Sequence, residues 1–195
     1  MQYLQKNCSS INVRINSIGG NVLDGYAIVS SILNCTVPCN TYIDGLGASI
    51  AGVIAVAGKK CYMMDYGTLM IHSASGSEDK EMLALVDGTI NKILSNRTSK
   101  TPEQIADIMK AETWFTADEA LNSGLVDEVV NTSKKIKVKK ESLQNMALVY
   151  NQLITKKPKM EKVFNKLSVT NEDEVLVAID SRDTEIASLK DEKKL

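Results

Sequence analysis

The first part of the chain alternates between strand-like and helix-like spacing of its hydrophobic residues. The segment INVRINS, residues 11–17, places Ile or Val at every second position, which is the period of a half-buried strand, and Gly19 and Gly20 then predict a turn. Residues 22–33 carry apolar side chains at helical spacing, and CTVPCNTYID, residues 35–44, returns to strand-like composition. The pattern therefore predicts strand, helix, strand.

The middle of the chain continues this alternation. GASIAGVIAVAG, residues 47–58, has glycine at both ends and small or β-branched residues between, which is typical of a buried helix packed closely on a sheet. KKCYMMDYGTLMIHSA, residues 59–74, predicts two short strands flanking a turn at residues 65–67. A long amphipathic helix is predicted from Glu78 to about Ser99. Its apolar stripe comprises Met82, Leu83, Leu85, Val86, Ile90, Ile93 and Leu94.

Two further helices have recognisable start and stop signals. TPEQIADIMK offers an N-cap at Thr101, proline at the first helical position and Glu103 in the first turn. TADEALNSGLVDEVV repeats the arrangement, with an N-cap at Thr116 and a glycine stop at Gly124. Strands that alternate with helices in this order predict an α/β fold with crossover connections.

The composition changes after Asn131, where NTSKKIKVKKES holds five lysines and no glycine. We predict a folded domain over residues 1–131, a lysine-rich linker over residues 132–142 and a helical extension over residues 143–195. Its helical pieces are predicted at Leu143–Ile154, Met160–Leu167 and Glu172–Lys190. Two interpretations of the extension stay open: an arm for a partner or for self-association, and a solvated helical tail.

Net charge, apolar runs and cysteine content bear on the possible partners and on the cellular location. The net charge of −1 and the isoelectric point near 5.9 provide no basic footprint for nucleic acid over the chain as a whole. The first twenty residues lack the apolar core of a signal peptide, and no apolar run is long enough to span a bilayer. We therefore expect a cytoplasmic protein. Its four cysteines are expected to be reduced and packed, with a zinc site as the less favoured alternative.

The chain contains a single histidine, His72, so any imidazole-dependent mechanism must use it. Ser49 lies where a strand is predicted to give way to a helix, so its hydroxyl could be presented at a turn. Ile50 N–H would then lie at the helix N-terminus, and the pair Gly19-Gly20, which follows a strand, could supply a second oxyanion donor. Glu112, in AETWF, is a carboxylate that could orient an imidazole. Individually, a packing or capping serine, a structural histidine and an ordinary glycine turn remain alternatives.

Four segments taken in order resemble the Clp protease proteolytic subunit family, and especially the head maturation (prohead) proteases of tailed phages. They are INSIGGNVLDGYAIVSSI, GLGASIAGVIAVAG, GTLMIHSASG and ETWFTADEALNSGLVDEVV, and the resemblance covers roughly residues 8–131. It implies a ClpP-like or crotonase-like fold of repeated β-α units, serine peptidase activity without metal or nucleotide cofactor in the subunit, and assembly into homo-oligomeric rings. It also assigns roles. Ser49 matches the nucleophile, His72 the general base, Glu112 the third triad member, and Gly20 and Ile50 the oxyanion donors.

Three departures from the family pattern bear on the site. Ile18 stands where the family has proline, which removes a fixed φ from the turn before Gly19. Glu112 replaces the usual aspartate and is one methylene longer, as expected of the phage-type branch. The family also has an earlier strand and helix, so we expect that an N-terminal part of the domain is missing here.

The resemblance leads to three hypotheses about function. The favoured one is an ATP-independent serine endopeptidase that cleaves scaffold and capsid proteins during phage head assembly, because the extension is similar to the scaffold-like segment of such proteases. The second is a ClpP-like assembly or scaffold module that does not catalyse. The third is an acyl-CoA enzyme of the wider crotonase fold, in which Gly19-Gly20 and a helix N-terminus would hold a thioester enolate.

Overall fold

The computed structural model describes residues 1–134, 136 and 138–155, with the backbone alone for residues 154 and 155. The chain divides into a compact unit over Met1–Leu148 and a second unit over Val149–Leu195, of which residues 149–155 are described. The described residues form seven helices and six strands. In chain order they are α1 Gln2–Asn7, β1 Ile11–Ser17, α2 Val22–Leu33, β2 Cys39–Ala48, α3 Ile50–Val56, β3 Cys61–Met64, β4 Thr68–Ile71, α4 Lys80–Arg97, α5 Pro102–Lys110, β5 Thr113–Thr116, α6 Ala117–Asn122, β6 Glu128–Val130 and α7 Lys140–Thr155.

The six strands form one sheet organised around the long strand β2. β1 pairs in parallel with β2 along one side. On the other side, the first half of β2 pairs with β3 and its second half pairs with β4, both in parallel. The sheet therefore forks at the turn between β3 and β4, with β6 extending one branch in parallel and β5 extending the other antiparallel. The α/β fold with crossover connections is confirmed, with β5 as the antiparallel exception.

Helix α3 packs on this sheet at very short range. Six of its seven residues are buried, which agrees with its apolar composition on every side. A Cβ on Gly52 would lie 3.0 Å from the carbonyl oxygens of Gly47 and Met70. A Cβ on Gly25 of α2 would lie 2.1 Å from Cγ1 of Ile50. Glycine at these two positions is thus what allows α2 and the sheet to enclose α3 so closely.

The predicted helix ends are largely confirmed. Thr101 and Thr116 each form a capping box, in which the threonine hydroxyl accepts a backbone N–H and the side chain of Gln104 or Glu119 accepts the threonine N–H in return. Gly124 follows the last turn of α6 with φ of 78°, a conformation that favours glycine. Strands β5 and β6 and helix α1 were not predicted, because three to six residues are too few to show a period. The equally short β3, β4 and α6 were indicated by turn and cap signals beside them.

Helix α4 differs from the prediction in how it uses its apolar stripe. Ile90 and Leu94, in its C-terminal half, are buried in the core. Met82 and Leu85 in the first two turns are exposed, Leu85 to 75%. The stripe is helical as predicted, but only half of its length contacts the core of the Met1–Leu148 unit.

The C-terminal region is described only in part. Helix α7 begins at Lys140, three residues before the predicted piece Leu143–Ile154. The other predicted helical pieces, Met160–Leu167 and Glu172–Lys190, lie outside the described residues. The division into a domain over residues 1–131, a linker over 132–142 and an extension over 143–195 stays a prediction.

Candidate active site

Three parallel strands end at the same edge of the sheet, and the predicted site residues follow them directly. β1 leads into Gly19 and Gly20, β2 into Ser49, and β4 into His72. In a parallel sheet the carboxyl ends of neighbouring strands meet at one edge, where ligands are commonly bound. Topology therefore collects residues that are far apart in the chain.

Ser49 occupies a tight strand-to-helix turn with a rare backbone conformation. Its φ is 58° and its ψ is −132°, a region that costs a residue with a side chain about 1–3 kcal/mol. Its N–H donates to the carbonyl of Met70 (2.9 Å), and its own carbonyl accepts from the N–H of Gly52 (2.9 Å). The side chain makes no N-cap hydrogen bond. The backbone is thus held on both sides while the hydroxyl is directed away from the helix.

The Ser49 hydroxyl meets the only imidazole of the chain. His72 Nε2 lies 2.8 Å from Ser49 Oγ, in a partly buried hydrogen bond. Burial lowers the pKa of His72, and the negative charges of Glu112 and then Asp87 oppose that effect. A buried imidazole of lowered pKa is neutral at physiological pH, which is the protonation state that a general base requires.

Glu112 enters the same neighbourhood through the antiparallel pairing of β4 and β5. Ile71 pairs with Thr113, so the next positions outward along the ladder are His72 and Glu112. Glu112 has φ of 47°, the second residue other than glycine with a positive φ among the described residues. Its Oε1 accepts a long hydrogen bond from Trp114 Nε1 (3.4 Å), and its N–H donates to the carbonyl of Met109. The carboxylate acts on His72 through its charge.

The turn that contains Gly19 and Gly20 lies directly against the serine. A Cβ on Gly19 would be 2.7 Å from Ser49 Cβ and 3.3 Å from the backbone nitrogen of Ile50. Gly19 has φ of 95°, and its N–H donates to Ser17 Oγ. A Cβ on Gly20 would meet nothing within 4 Å. Gly19 therefore contacts Ser49 and the backbone of Ile50 directly, and Gly20, the next residue, has open space around the position of a Cβ.

A cavity lies between α4 and α5. Its volume is about 550 Å³. Ser73, which follows His72, forms part of its wall, as do Asp87 and Lys92 from α4 and Met109 from α5. Neither Ser49 nor His72 lines this cavity, which comes closest to them along the chain at Ser73.

The remaining reactive groups stand apart from this site. All four cysteines are free, and Cys39 and Cys61 are buried. Burial raises the pKa of the Cys61 thiol to about 11, so the thiol stays protonated.

Within the described part of the chain, no group of three or more His, Cys, Asp or Glu side chains is arranged to hold a metal ion. Among the same residues, no helix has the length and hydrophobicity needed to cross a membrane.

The structure adds two residues that sequence reasoning did not single out. Asp87 lies in the middle of α4, where its carboxylate acts on His72, and nothing in its helical spacing marks it. Gly19 was recognised only as half of a glycine pair, although it makes the closest approach to Ser49. The sequence signal for Gly19 was the pair itself, whereas for Asp87 only the packing of α4 could reveal its place.

An α/β protein with a serine hydroxyl hydrogen-bonded to a histidine at the carboxyl edge of its sheet has the arrangement of a serine hydrolase. The family model described as Clp protease matches residues 1–133. The chain therefore belongs to the Clp protease family, and its assignment to the peptidases is confirmed at the level of that family.

Similar proteins agree with this assignment. The ATP-dependent Clp protease proteolytic subunit of Streptococcus sanguinis is 29% identical over 142 residues, covering 66% of this chain and 72% of that protein. The ATP-dependent Clp protease proteolytic subunit 2 of Chlamydia trachomatis serovar D is 34% identical over 142 residues, covering 66% and 69%. The structure of a ClpP1 mutant from Listeria monocytogenes superposes with a TM-score of 0.63 at 24% identity, covering 70% of this chain and 82% of that one. The last comparison confirms the ClpP-like fold.

Proposed function

We propose that the protein is a serine endopeptidase in which Ser49 is the nucleophile and His72 the general base. Ser49 Oγ attacks the carbonyl carbon of the scissile peptide bond as His72 Nε2 takes its proton. The imidazolium then gives that proton to the leaving amine, and an acyl-enzyme remains on Ser49. Water, deprotonated by His72, attacks the ester and releases the second product. The Ser49–His72 distance of 2.8 Å is the observation that carries this proposal.

Two oxyanion donors and one carboxylate complete the proposed mechanism. Backbone N–H groups of Gly20 and Ile50 would donate to the oxyanion of the tetrahedral intermediate, since Gly20 follows Gly19, which contacts Ser49, and Ile50 is the first residue of a helix. Glu112 would stabilise the imidazolium through its charge. No metal or cofactor enters these steps.

Active-site labelling tests the proposal directly. The full chain is treated with a fluorophosphonate, and its intact mass is measured beside a Ser49→Ala control. One adduct that is lost in Ser49→Ala supports an activated serine. No adduct on a folded sample overturns the proposal and favours the alternative of an assembly or scaffold module that does not catalyse.

We further propose that the biological role is head maturation in a phage or prophage, by cleavage of scaffold and capsid proteins without ATP. The support is the resemblance of ETWF and of the C-terminal extension to that branch. The site of action would be the host cytoplasm or the procapsid interior, with protein substrates and no nucleic-acid or membrane partner. Digestion of a loosely folded protein substrate without nucleotide or ATPase, absent in Ser49→Ala, is the expected result.

The names of the relatives favour a second candidate role. Both are described as ATP-dependent Clp protease proteolytic subunits, so this chain could cooperate with a nucleotide-driven partner. In that case the full chain would label with the fluorophosphonate yet leave protein substrates intact until a partner ATPase and ATP are added. The same digestion experiment thus separates the two roles.

Assembly into a homo-oligomeric ring is also proposed. Large apolar side chains are exposed on α2, where Leu23 and Leu33 are each 62% exposed, and on α4 at Leu85. Contiguous patches of exposed apolar surface commonly mark contacts between proteins, whereas single exposed residues are ordinary. Light scattering on the full chain is expected to give a multiple of the subunit mass, and Leu85→Lys tests whether α4 takes part. A strictly monomeric wild-type protein would contradict ring assembly.

The acyl-CoA alternative makes a different prediction about the same groups. An enolate-stabilising enzyme needs the oxyanion donors but no serine nucleophile. Turnover of an acyl-CoA that survives Ser49→Ala would favour it, whereas loss of all activity in that variant supports the peptidase.

A further inference from the structure

The segment that carries His72 is held by two helices immediately after the histidine. The N–H of Ser73 donates to the carbonyl of Met109 at the end of α5 (3.0 Å). The N–H of Ala74 donates to Oδ1 of Asp87 in the middle of α4, at 2.6 Å and partly buried. A hydrogen bond from a backbone N–H to a carboxylate is short and strong because the acceptor is charged. Asp87 is therefore the side chain that fixes this segment to α4.

Asp87 also acts on the imidazole through space. Its charge and that of Glu112 both favour protonated His72, against the effect of burial. The two carboxylates come from different parts of the fold, Glu112 from the residue before β5 and Asp87 from α4. Both charges favour the imidazolium that forms when the His72 ring takes up the serine proton.

Two other titratable side chains, Lys92 and Tyr26, lie near Asp87. Lys92, five residues further along α4, lines the same cavity as Asp87 and Ser73. On the other side Tyr26 of α2 donates its hydroxyl to the carbonyl of Val86 (2.9 Å), and burial, with a contribution from Asp87, raises the pKa of that hydroxyl. Tyr26 is hence neutral over the range in which His72 titrates, so it does not offset the charge of Asp87 there.

We propose that Asp87 is a positioning residue for the peptidase reaction, holding the strand end that carries His72 and stabilising the imidazolium by its charge. The inference rests on the proposed function of Ser49 and His72. It assigns two carboxylates to one histidine: Glu112, which adjoins it along the sheet, and Asp87, which also anchors the chain that follows it. Of these two carboxylates, only Glu112 lies in one of the four segments that resemble the Clp protease family.

The test measures the rate at which a fluorophosphonate labels Ser49 as a function of pH, in the full chain. Asp87→Asn keeps an oxygen that can accept the Ala74 N–H but removes the charge. Its labelling is expected to be about three-fold slower at the plateau, with the acid limb moved to lower pH. Asp87→Ala removes both the hydrogen-bond acceptor for Ala74 N–H and the charge, and it is expected to be labelled about ten-fold more slowly. Asp87→Glu, which keeps the charge, should restore the wild-type midpoint.

Controls keep this inference separate from the proposed function and from stability. Asp107→Asn removes one exposed carboxylate from α5 and should keep the wild-type rate and midpoint. If the wild type is not labelled at Ser49, the proposed function fails. If the wild type is labelled and Asp87→Asn and Asp87→Ala both match its rate and midpoint, the role of Asp87 is overturned. Circular dichroism verifies folding, and Asp87→Asn carries the test if Asp87→Ala does not fold.

Discussion

The two ends of helix α3 present hydroxyl groups in opposite circumstances. At its C-terminal end, Thr41 of β2 is completely buried and donates its hydroxyl to the carbonyl of Ala55, and a Cβ on Gly58 would lie 2.4 Å from Thr41 Oγ1. At its N-terminal end, Ser49 is half-buried, sits at a positive φ and meets His72. A carbonyl can accept a hydrogen bond but cannot take the proton, whereas a neutral imidazole can. Identical functional groups therefore serve packing at one end and, in our proposal, chemistry at the other.

The largest expected effect on labelling is that of His72→Ala, at the Ser49 end of α3. Without the imidazole no described group is in position to take the Ser49 proton, so fluorophosphonate labelling should fall at least about a thousand-fold, close to the loss in Ser49→Ala. The fold should persist, as judged by circular dichroism. Labelling at the wild-type rate would mean that the two ends of α3 do not differ in the way described.

Gly19→Ala tests the close approach to the serine. Its Cβ would collide with Ser49 Cβ and with the carbonyl oxygen of Ala48 (2.8 Å), so labelling should fall about a hundred-fold as the turn shifts. Gly76→Ala is a matched control, because φ there is 91° and a Cβ would meet nothing within 4 Å. It carries similar backbone strain without the collision and should label normally. Equal losses in the two variants would assign the effect to strain alone.

Glu112→Gln is expected to slow labelling about ten-fold, less than His72→Ala. The amide is neutral, so the imidazolium loses one stabilising charge, but Asp87 still supplies a second. Combining Glu112→Gln with Asp87→Asn should slow labelling further than either change alone. A rate unchanged in the single and double variants would show that neither carboxylate acts on His72.

The pH dependence follows from the burial of His72. Because burial lowers its pKa below the ordinary value of 6.5, the acid limb of the wild-type labelling rate should have its midpoint below pH 6.5. The folded state also binds this proton less readily than the unfolded state. The contribution to stability is thus fully present above 6.5 and is lost as the pH falls through the folded pKa. A midpoint above 6.5 would contradict this.

Thr41→Val should have the smallest effect on labelling and a measurable one on stability. The isosteric valine removes the hydroxyl that donates to the Ala55 carbonyl, which keeps only a long hydrogen bond from the Gly58 N–H (3.4 Å), and should cost about 1–2 kcal/mol of unfolding free energy, measured by urea denaturation. Thr41→Ser keeps the hydroxyl and serves as the matched control. Labelling in Thr41→Val should match the wild type. A large loss of labelling would mean that the two ends of α3 are coupled.

Local patterns were sufficient for much of the fold. The alternation in residues 11–17, the helical spacing in residues 22–33 and the threonine caps at Thr101 and Thr116 are determined by neighbours within a few positions, and the structure confirms them. Strand β5 escaped prediction because four residues in TWFT have no usable period. Its pairing with β4, which brings Glu112 beside His72, depends on a register that no local pattern encodes.

The sequence by itself therefore determined the α/β class, most of the helices and strands, the residues Ser49, His72 and Glu112 as candidates, and the likeness to the Clp proteases. Tertiary structure alone decided the strained φ of Ser49, the 2.8 Å approach of His72, the contact of Gly19 with the serine, and the place of Asp87. The physical reason is the distance along the chain over which each kind of interaction acts. Propensities and caps act over one turn or one strand, whereas distances at the sheet edge follow from parallel pairing and from the close packing of α3, which join residues tens of positions apart.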